Sequence, residues 1–264
     1  MKKFSLLAAV STVALVASGS AQAADMALKA LPTAAPVYSW TGCYVGGHVG
    51  FGWARHEVTA SNFSLGPGST AISRTNAIES NGGVYGGQVG CDYQFANVWV
   101  VGVQGDVAGT NLTGNVGDPF DRFLAGNPPG TIGVKTDMIA SLTARLGVTA
   151  LDNRALFYVK GGAAWDRSRW DFTNSSYCKF YGGCTNNGPT DNRAGWTAGG
   201  GVEWVLSQAW PNWTAFAEYD FYGFDRNGGS FPVALTAQDP RNALSLAHQQ
   251  FQAVKIGLNF KLRP

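Results

Sequence analysis

The sequence predicts an all-β fold, an eight-stranded antiparallel barrel, on the basis of three observations. The first is composition: of 264 residues, 35 are Gly, 12% are aromatic and only 14% are charged, which favours many short extended segments over helices. The second is an alternation of apolar and polar side chains in eight segments. The third is the spacing of these segments, because short and long connections alternate along the chain.

Residues 1–23 have the pattern of a signal peptide. Residues 1–3 give a positive start, 4–19 form an apolar run, and 21–23 have the small-x-small sequence of a cleavage site. We expect the mature chain to begin at residue 24 and to open with a Pro-bearing periplasmic linker, 24–39. A retained membrane anchor is the alternative, but the apolar run is shorter than the about 20 residues that a helical span needs.

The charge balance argues against one class of partner. Lys2 and Lys3 lie in the segment that we expect to be removed, so 17 of the 19 basic residues remain and balance the 17 acidic residues. Without a net charge or a run of Lys or Arg, the electrostatic footprint of nucleic-acid binding is missing. We therefore expect no nucleic-acid partner.

The predicted barrel occupies residues 40–264. Its eight strands are placed at about 40–56, 82–95, 98–112, 135–150, 155–171, 193–207, 212–224 and 248–262. The connections at 96–97, 151–154 and 208–211 are short, whereas those at 57–81, 113–134, 172–192 and 225–247 are long. Short turns at one end and four long loops at the other are typical of an outer-membrane barrel with periplasmic turns and surface loops.

Each strand has one apolar and one polar face. In the fourth strand the apolar face carries Met138, Ala140, Leu142, Ala144, Leu146 and Val148, and the polar face carries Asp137, Ser141, Thr143, Arg145 and Thr149. The third, sixth and last strands alternate in the same way. A soluble barrel with an apolar interior would alternate too, so a second observation must decide which face points outward.

The aromatic residues supply that observation, since they are sorted into two levels. The level near the short turns contains Trp99, Phe157, Trp213 and Phe260, and the level near the long loops contains Phe51, Trp53, Trp165, Trp196 and Phe221. Two aromatic girdles around a lipid band are a feature of transmembrane barrels. The apolar faces are therefore predicted to face lipid, and the fold to be an eight-stranded transmembrane β-barrel.

Four Gly-rich motifs, at 40–47, 86–94, 101–106 and 255–260, resemble in this order the strands of a known family. It is the outer-membrane immunogenic protein family, small opacity-type, porin-like barrels of α-proteobacteria, and the resemblance covers about 40–264. It implies location in the outer membrane, a structural or envelope-integrity role, surface loops that act as antigens, and haem binding in some members. The partners we expect are outer-membrane lipid and lipopolysaccharide, the outer-membrane assembly machinery, and host or environmental ligands at the loops.

Two features depart from the family pattern. Leu262 stands where members commonly end on an aromatic residue, and two residues follow it. The first and second strands carry Cys43 and Cys91 where relatives more often have aromatic residues.

Charged residues on the inward faces suggest what fills the barrel. They are the acids Asp106, Glu203, Glu218 and Asp220 and the bases Arg145, Lys160 and Lys255. Counting from the short turns places Arg145 opposite Lys160, Lys160 beside Glu203 and Glu203 opposite Glu218, so all are expected at one level. Because a small barrel has room only for side chains and buried charges need partners, we expect a structural salt-bridge network. A weak, narrow or gated ion path is the alternative.

The sequence predicts no enzyme and no catalytic residue. His48 is the one imidazole expected within the membrane, and a few eight-stranded barrels modify lipids with a His, a Ser and an acid. However, His48 faces inward at mid-strand, and the sequence motifs of serine hydrolases and zinc proteases do not occur. We expect a lumen histidine bonded to its neighbours.

No cofactor or metal is predicted either. His56 and His248 lie near the long-loop rim, with Tyr177, Phe180 and Tyr181 in the third loop, so a surface haem site is an alternative to a solvated rim.

The four cysteines predict disulfide chemistry, since the periplasm oxidises thiols. Cys178 and Cys184 lie in one loop with five residues between them, and we expect them to form a disulfide; two thiolates alone would half fill a zinc site. Cys43 and Cys91 fall nearly opposite one another on neighbouring strands. For this pair a second disulfide and two lipid-facing thiols both remain open.

Overall fold

The computed structural model describes residues 38–63, 72–117, 131–173, 190–207, 209–224, 230–232 and 243–262. The predicted signal peptide, most of the predicted linker and the loop residues Tyr177, Cys178, Phe180, Tyr181 and Cys184 lie outside these residues. The side chain of His248 is also outside the description.

Nine strands occur within the described residues. They are β1 (Gly42–Phe63), β2 (Ile72–Phe95), β3 (Trp99–Gly117), β4 (Thr131–Ala150), β5 (Ala155–Thr173), β6 (Thr190–Val205), β7 (Trp213–Phe224), β8 (Ser230–Pro232) and β9 (Ala243–Leu262). In this part of the chain, no helix has the length and apolar character needed to cross a membrane.

Eight of these strands close into a ring. From β1 to β7 each strand pairs antiparallel with the next, β7 pairs with β9, and β9 pairs with β1. In the closing pair Val45 faces Phe260 and Val49 faces Ile256. The predicted eight-stranded antiparallel barrel is therefore confirmed. The short strand β8, which among the described residues pairs with the loop end of β9 alone, was not indicated by the alternation.

The short connections are tight turns in which the chain enters the left-handed region. Ala96 and Asn97 have φ of 49° and 60°, and residues 151–153 have φ of 53°, 54° and 63°. Asn and Asp tolerate this conformation better than most residues, and Asp152 and Asn153 lie in the second turn.

The strands extend further toward the long loops than the sequence predicted. Pairing between β1 and β2 continues past His56, which faces Ile78, to Phe63, which faces Ile72. Much of the predicted loop 57–81 is therefore a β-hairpin. The prediction stopped where the apolar alternation stopped, but backbone hydrogen bonds sustain a hairpin without lipid-facing side chains.

The outward and inward faces follow the predicted alternation. Outward residues such as Val49, Val103, Leu142 and Ile256 are more than half exposed, whereas inward residues are buried. Both predicted aromatic levels point outward: Trp99, Phe157 and Trp213 near the short turns, and Phe51, Trp53, Trp165 and Trp196 near the loops, are all exposed. We take the strand residues between these two levels as the membrane-spanning segments.

Asp137 is an exception to the alternation. Thr136 faces Ser168 and Met138 faces Arg167, so Asp137 has no partner residue in β5. This β-bulge turns Asp137 to the outer face, beside the exposed side chains of Lys135 and Arg169. Its predicted place on the inward face is wrong, because a bulge shifts the period by one residue without a sequence signal of its own.

Candidate functional site

The barrel interior is the candidate site, and its charges form two clusters. The lower cluster, nearest the short turns, consists of Asp92, Arg145, Glu203 and Lys261. Arg145 Nη2 lies 3.0 Å from Glu203 Oε2 and its Nη1 lies 3.5 Å from Asp92 Oδ2, while Lys261 Nζ lies 3.2 Å from the same Asp92 oxygen. Each carboxylate in this cluster therefore has a basic partner.

Neutral groups complete the lower cluster. Glu203 Oε1 accepts hydrogen bonds from Thr214 Oγ1 at 2.5 Å and from Asn259 Nδ2 at 2.9 Å. Arg145 also donates to the Tyr44 hydroxyl, and its guanidinium carbon lies 4.0 Å from the centre of the Tyr158 ring. The buried ions are thus surrounded by donors and aromatic faces, which lowers the cost of taking them out of water.

The middle cluster, further along the barrel, consists of His48, Asp106, Lys160, Glu218, Asp220 and Lys255. Lys160 Nζ lies 2.6 Å from Glu218 Oε1 and 3.1 Å from Asp220 Oδ1. Lys255 Nζ lies 2.6 Å from Asp220 Oδ2 and 3.1 Å from the same Glu218 oxygen. Two ammonium groups thus bridge two carboxylates in a closed set of four ion pairs.

Asp106 joins the middle cluster through His48. His48 Nε2 lies 2.6 Å from Asp106 Oδ2, and Lys255 Nζ lies 3.6 Å from Asp106 Oδ1. Both His48 and Asp106 are buried inside the barrel. His48 therefore has the inward position and the bonded neighbour that its place in β1 suggested.

All seven interior charges named from the sequence are buried, but they do not share one level. Arg145 faces Lys160, as expected. Lys160, however, faces Gly199 rather than lying beside Glu203, and Glu203 faces Phe216 rather than Glu218. Arg145 and Glu203 consequently belong to the lower cluster, and the other five belong to the middle one. The single-level prediction is wrong for two reasons. A long loop joins β5 and β6, so barrel stagger sets their register and counting from the short turns does not. A short turn joins β6 and β7, but there Val205 faces Thr214, which shifts the register by two residues from the one that the prediction assumed.

The sequence reasoning missed two members of the lower cluster, Asp92 and Lys261. A signal for both was available, since Asp92 has the inward parity of Gln88 in β2 and Lys261 has that of Lys255 and Asn259 in β9.

Glycines opposite the acids make room for the charges. A Cβ added to Gly102 would lie 2.1 Å from Asp92 Oδ1, and one added to Gly199 would lie 2.1 Å from Asp220 Oδ1. Each of these glycines directly faces its aspartate in the neighbouring strand. The carboxylates therefore lie across the backbone of the next strand, where any side chain would displace them.

An apolar cap closes the interior at the short-turn end. Trp40, just before β1, is fully buried against Val100, Leu156, Tyr158 and Val205. Its indole Nε1 donates to the Asn153 carbonyl at 2.9 Å, and its backbone NH donates to Gln94 Oε1 at 2.9 Å. Residue 40 was predicted to begin the first strand, but here it folds across the end of the barrel.

An apolar layer crosses the bore on the loop side of the middle cluster. We call it the outer apolar layer, and its members are Ala54, Val84, Ala108, Leu112, Ile139, Ala164, Tyr222, Phe224, Phe251 and Ala253. The rings of Tyr222 and Phe251 lie 5.2 Å apart and those of Tyr222 and Phe224 lie 6.4 Å apart. The hydroxyl of Tyr222 donates to Asp220 Oδ2 at 3.2 Å, which connects the layer to the middle cluster.

A third set of polar residues, the outer polar cluster, lies beyond the upper aromatic level. His56 Nε2 lies 3.2 Å from the Ser80 hydroxyl, and Ser168 donates to Asp166 Oδ2 at 2.7 Å. Arg193 Nη1 donates to Gln249 Oε1 at 3.2 Å, and its Nε lies 2.6 Å from Asp191 Oδ2.

Burial, with a contribution from Arg193, lowers the pKa of His56 from 6.5 to about 4. Burial raises the pKa of Asp166 from 3.8 to about 6.

His56 is therefore not the solvated rim residue that the sequence predicted. Its side chain is 2% exposed, and its ring meets Trp170 edge-on at 5.9 Å. The difference arises because β1 and β2 continue as a paired hairpin, which carries the inward alternation past the membrane. Tyr177, Phe180, Tyr181 and the side chain of His248 lie outside the described residues.

Cys43 and Cys91 form a disulfide. They face one another directly in the β1–β2 pair, with Cα atoms 3.9 Å apart. Both side chains lie on the outer face near the short-turn end. The choice that the sequence left open is thus resolved in favour of the bond.

Within the described residues, no group of three or more His, Cys, Asp or Glu side chains is arranged to hold a metal ion. Taken in order from the short turns, the interior is an apolar cap, the lower cluster, the middle cluster, the outer apolar layer and the outer polar cluster. Buried side chains lie at each of these levels, so the arrangement suits a packed interior.

Comparison with known proteins agrees with this architecture. The family model of the outer membrane protein beta-barrel domain matches residues 11–260. The 31 kDa outer-membrane immunogenic protein of Brucella melitensis is 27% identical over 256 residues, which cover 96% of this chain and 98% of that protein. The 25 kDa outer-membrane immunogenic protein of Brucella abortus is 26% identical over 269 residues, covering 99% and 100%. The crystal structure of Neisserial surface protein A aligns with 84% of this chain and 98% of that chain, with a TM-score of 0.41 and 12% identity.

The closed antiparallel ring, the lipid-facing apolar surface and the two Brucella relatives agree with the resemblance seen in the sequence motifs. The chain belongs to the outer membrane protein beta-barrel domain family and is an integral protein of the bacterial outer membrane.

Proposed function

We propose that the protein is a non-enzymatic, non-conducting barrel that strengthens the outer membrane and presents surface loops as antigens. The observation that carries this proposal is the filled interior: two compensated charge clusters lie between the Trp40 cap and the outer apolar layer. A rigid plug of this kind serves a structural protein better than a transport protein.

The compensation of the interior charges supports the plug. Lys160 and Lys255 are both within 3.1 Å of Glu218 Oε1, and both also pair with Asp220. A permeating ion would have to displace these partners, and breaking a buried ion pair costs roughly 3–5 kcal/mol. The outer apolar layer adds a second barrier, since it offers ions few polar groups to replace their water.

The surroundings of the histidines support the absence of catalysis and of a haem cofactor. The pair of His48 and Asp106 lies inside the barrel between charged side chains, away from the lipid surface where a lipid ester would be attacked. His56 is buried against Trp170 and Ser80. Its imidazole would have to leave these contacts to ligate an iron.

The proposal includes the rest of the chain and its partners. Residues 1–23 would direct export, 24–39 would form a periplasmic linker, and a bond between Cys178 and Cys184 would shape the third surface loop. Outer-membrane lipid and lipopolysaccharide would surround the barrel, the assembly machinery would insert it, and the loops would meet host or environmental ligands.

Planar-bilayer recording tests the non-conducting interior. We expect the refolded wild-type barrel to show no steady conductance, because every level of the bore is occupied. The matched variant replaces Glu203 and Glu218 with Gln. A steady wild-type conductance that disappears in this variant would contradict the plug and favour the weak-channel alternative.

A deletion strain tests the envelope role. Cells without the protein should take up more of a hydrophobic fluorescent dye and survive detergent less well than the parent, and expression of the wild-type chain should reverse both changes. A deletion strain with unchanged dye uptake and detergent survival would contradict a role in envelope integrity.

A further inference from the structure

We infer that the outer face of β4 and β5, just above the upper aromatic level, binds the phosphate groups of a phosphorylated glycolipid of the outer leaflet. Lipopolysaccharide is a glycolipid with this chemistry. The site consists of Lys135, Arg167 and Arg169, and it deepens the proposed function by giving the surrounding lipid a specific place on the barrel. The inference rests on the membrane position given above.

The first supporting observation is height. Trp165 points outward at the upper aromatic level and is 45% exposed. Arg167 and Arg169 follow it on the same face of β5, at steps of about 7 Å along the strand. Interfacial Trp residues lie at the level of the lipid head groups, so these guanidinium groups lie where the head-group phosphates are.

The second observation is an arrangement of like charges. Lys135 directly faces Arg169 in the β4–β5 pair, and Arg167 faces Met138 one step closer to the membrane. Like charges directly opposite one another on a sheet are destabilising. A bound anion would offset that cost, and Arg is well suited to phosphate because its planar fork can donate two parallel hydrogen bonds.

The third observation is that the β-bulge supplies a partial counter-charge. Asp137 Oδ2 lies 3.2 Å from Arg169 Nη2, and Asp137 Oδ1 lies 3.7 Å from Lys135 Nζ. One carboxylate thus holds two bases on the same face and leaves the group positive. Arg167 is exposed and has no ion pair or hydrogen bond within the part of the chain that the structure describes. Asp171, on the same face, lies further out than the three bases.

The opposite side of the barrel lacks this charge excess. There, Arg55 lies 4.0 Å from Glu57 and faces Glu79. This one base is therefore accompanied by two acids. At this height the positive charge therefore lies on the β4–β5 side and not on the β1–β2 side. Below it, Met138 and Leu142 continue the outward apolar face toward the membrane centre, where acyl chains of the same lipid would lie.

Native mass spectrometry of the refolded full barrel in detergent tests the inference. The probe is diphosphorylated lipid A, and its dephosphorylated form is the matched lipid. The test variant carries Arg167→Gln and Arg169→Gln, and the control variant carries Arg55→Gln. Since the test variant loses charge-assisted hydrogen bonds to phosphate, it should lose at least about tenfold in affinity, while the control should stay within about twofold.

Any one of four results would overturn the inference. The double variant could bind diphosphorylated lipid A as the wild type does, the Arg55→Gln variant could lose as much affinity, or the dephosphorylated lipid could bind equally well. Inorganic phosphate at the lipid concentration should not displace the lipid; displacement would assign the site to free phosphate instead. All variants should still migrate faster unboiled than boiled and reach the cell surface, so failure of lipid binding is separable from failure of the barrel or of its envelope role.

Discussion

Two neighbouring stretches of the barrel interior are filled in different ways. The middle cluster fills the bore with ionised groups, in which Lys160 and Lys255 each contact both Glu218 and Asp220. The outer apolar layer, immediately beyond it, fills the same bore with rings and aliphatic groups, of which Tyr222, Phe224 and Phe251 are the largest. The two stretches adjoin at Tyr222, whose hydroxyl bonds Asp220.

The difference lies in what each stretch requires of its side chains. An ion cluster requires each charge to have its partner, and removing one partner leaves an uncompensated ion. An apolar layer requires volume, and it tolerates another apolar side chain of similar size. The charged stretch should therefore be intolerant of chemical change, and the apolar stretch intolerant of loss of volume.

The largest expected effect is in the charged stretch. Glu218→Ala removes a carboxylate that holds two ammonium groups, and it should lower the free energy of unfolding by roughly 3–5 kcal/mol. Urea unfolding of the barrel in lipid vesicles would measure this. Glu79→Ala, at an exposed position, is the control and should change stability by at most about 0.5 kcal/mol. Equal losses in the two variants would mean that the cluster is not held by its pairs.

The apolar stretch should respond to size. Phe251→Ala opens a cavity and should cost about 3 kcal/mol, whereas Phe251→Leu keeps most of the volume and should cost about 1 kcal/mol. The same unfolding assay measures both costs. In the charged stretch, by contrast, Glu218→Gln keeps the shape of the side chain but removes its charge, so it should lower the free energy of unfolding nearly as much as Glu218→Ala. Comparable costs for Phe251→Leu and Phe251→Ala would contradict the distinction between the two stretches.

The lipid-facing surface of the strands is apolar, like the outer apolar layer inside the bore, but its side chains are not packed against other side chains. Leu142 points outward and is 57% exposed to the membrane. Leu142→Arg should cost roughly 2 kcal/mol, because a charge near the bilayer centre is unfavourable. Leu151→Arg, in a short turn outside the lipid, is the control. A larger loss for the turn variant would mean that the outward face does not contact lipid.

The smallest expected effect is the pH dependence of the outer polar cluster. The pKa of Asp166 is raised to about 6, so its contribution to stability is present below pH 3.8 and is lost as the pH rises through 6. The pKa of His56 is lowered to about 4, so its contribution is present above pH 6.5 and is lost as the pH falls through 4. The two contributions have opposite slopes between about pH 4 and 6.

Single variants should reveal those slopes. Relative to the wild type, Asp166→Asn should make stability rise more steeply with pH over this range, because only the His56 slope remains. His56→Gln should make it fall. Arg193 and Asp191, which lie beside this pair, are unchanged in both variants. Two variants with slopes of the same sign would contradict the burial of one of these groups.

The sequence predicted most of the fold because one physical rule governs it. Side chains alternate across a strand, so Val254, Lys255 and Ile256 could be assigned to lipid or interior without knowledge of their neighbours. The aromatic levels fixed the direction of the faces. The same rule also places Asp92 and Lys261 inside the barrel.

What the sequence could not predict depends on relations between strands. Arg145 was correctly placed opposite Lys160 because a short turn joins their strands. The pairing of Lys160 with Glu218, and of Arg145 with Glu203, spans strands whose stagger is a property of the closed barrel. The bulge at Asp137 and the cap formed by Trp40 likewise depend on contacts with distant residues.

The disulfide has a mechanical consequence. Cys43 lies at the end of the seam between β1 and β9, where it faces Leu262, and it is bonded to Cys91 of β2. Trp40, three residues earlier, is anchored across the end of the ring. A pulling force applied to the chain before Trp40 would therefore be passed through the sulfur bridge to β2, and it would load the first hairpin as a unit instead of peeling β1 away from β9 one residue at a time.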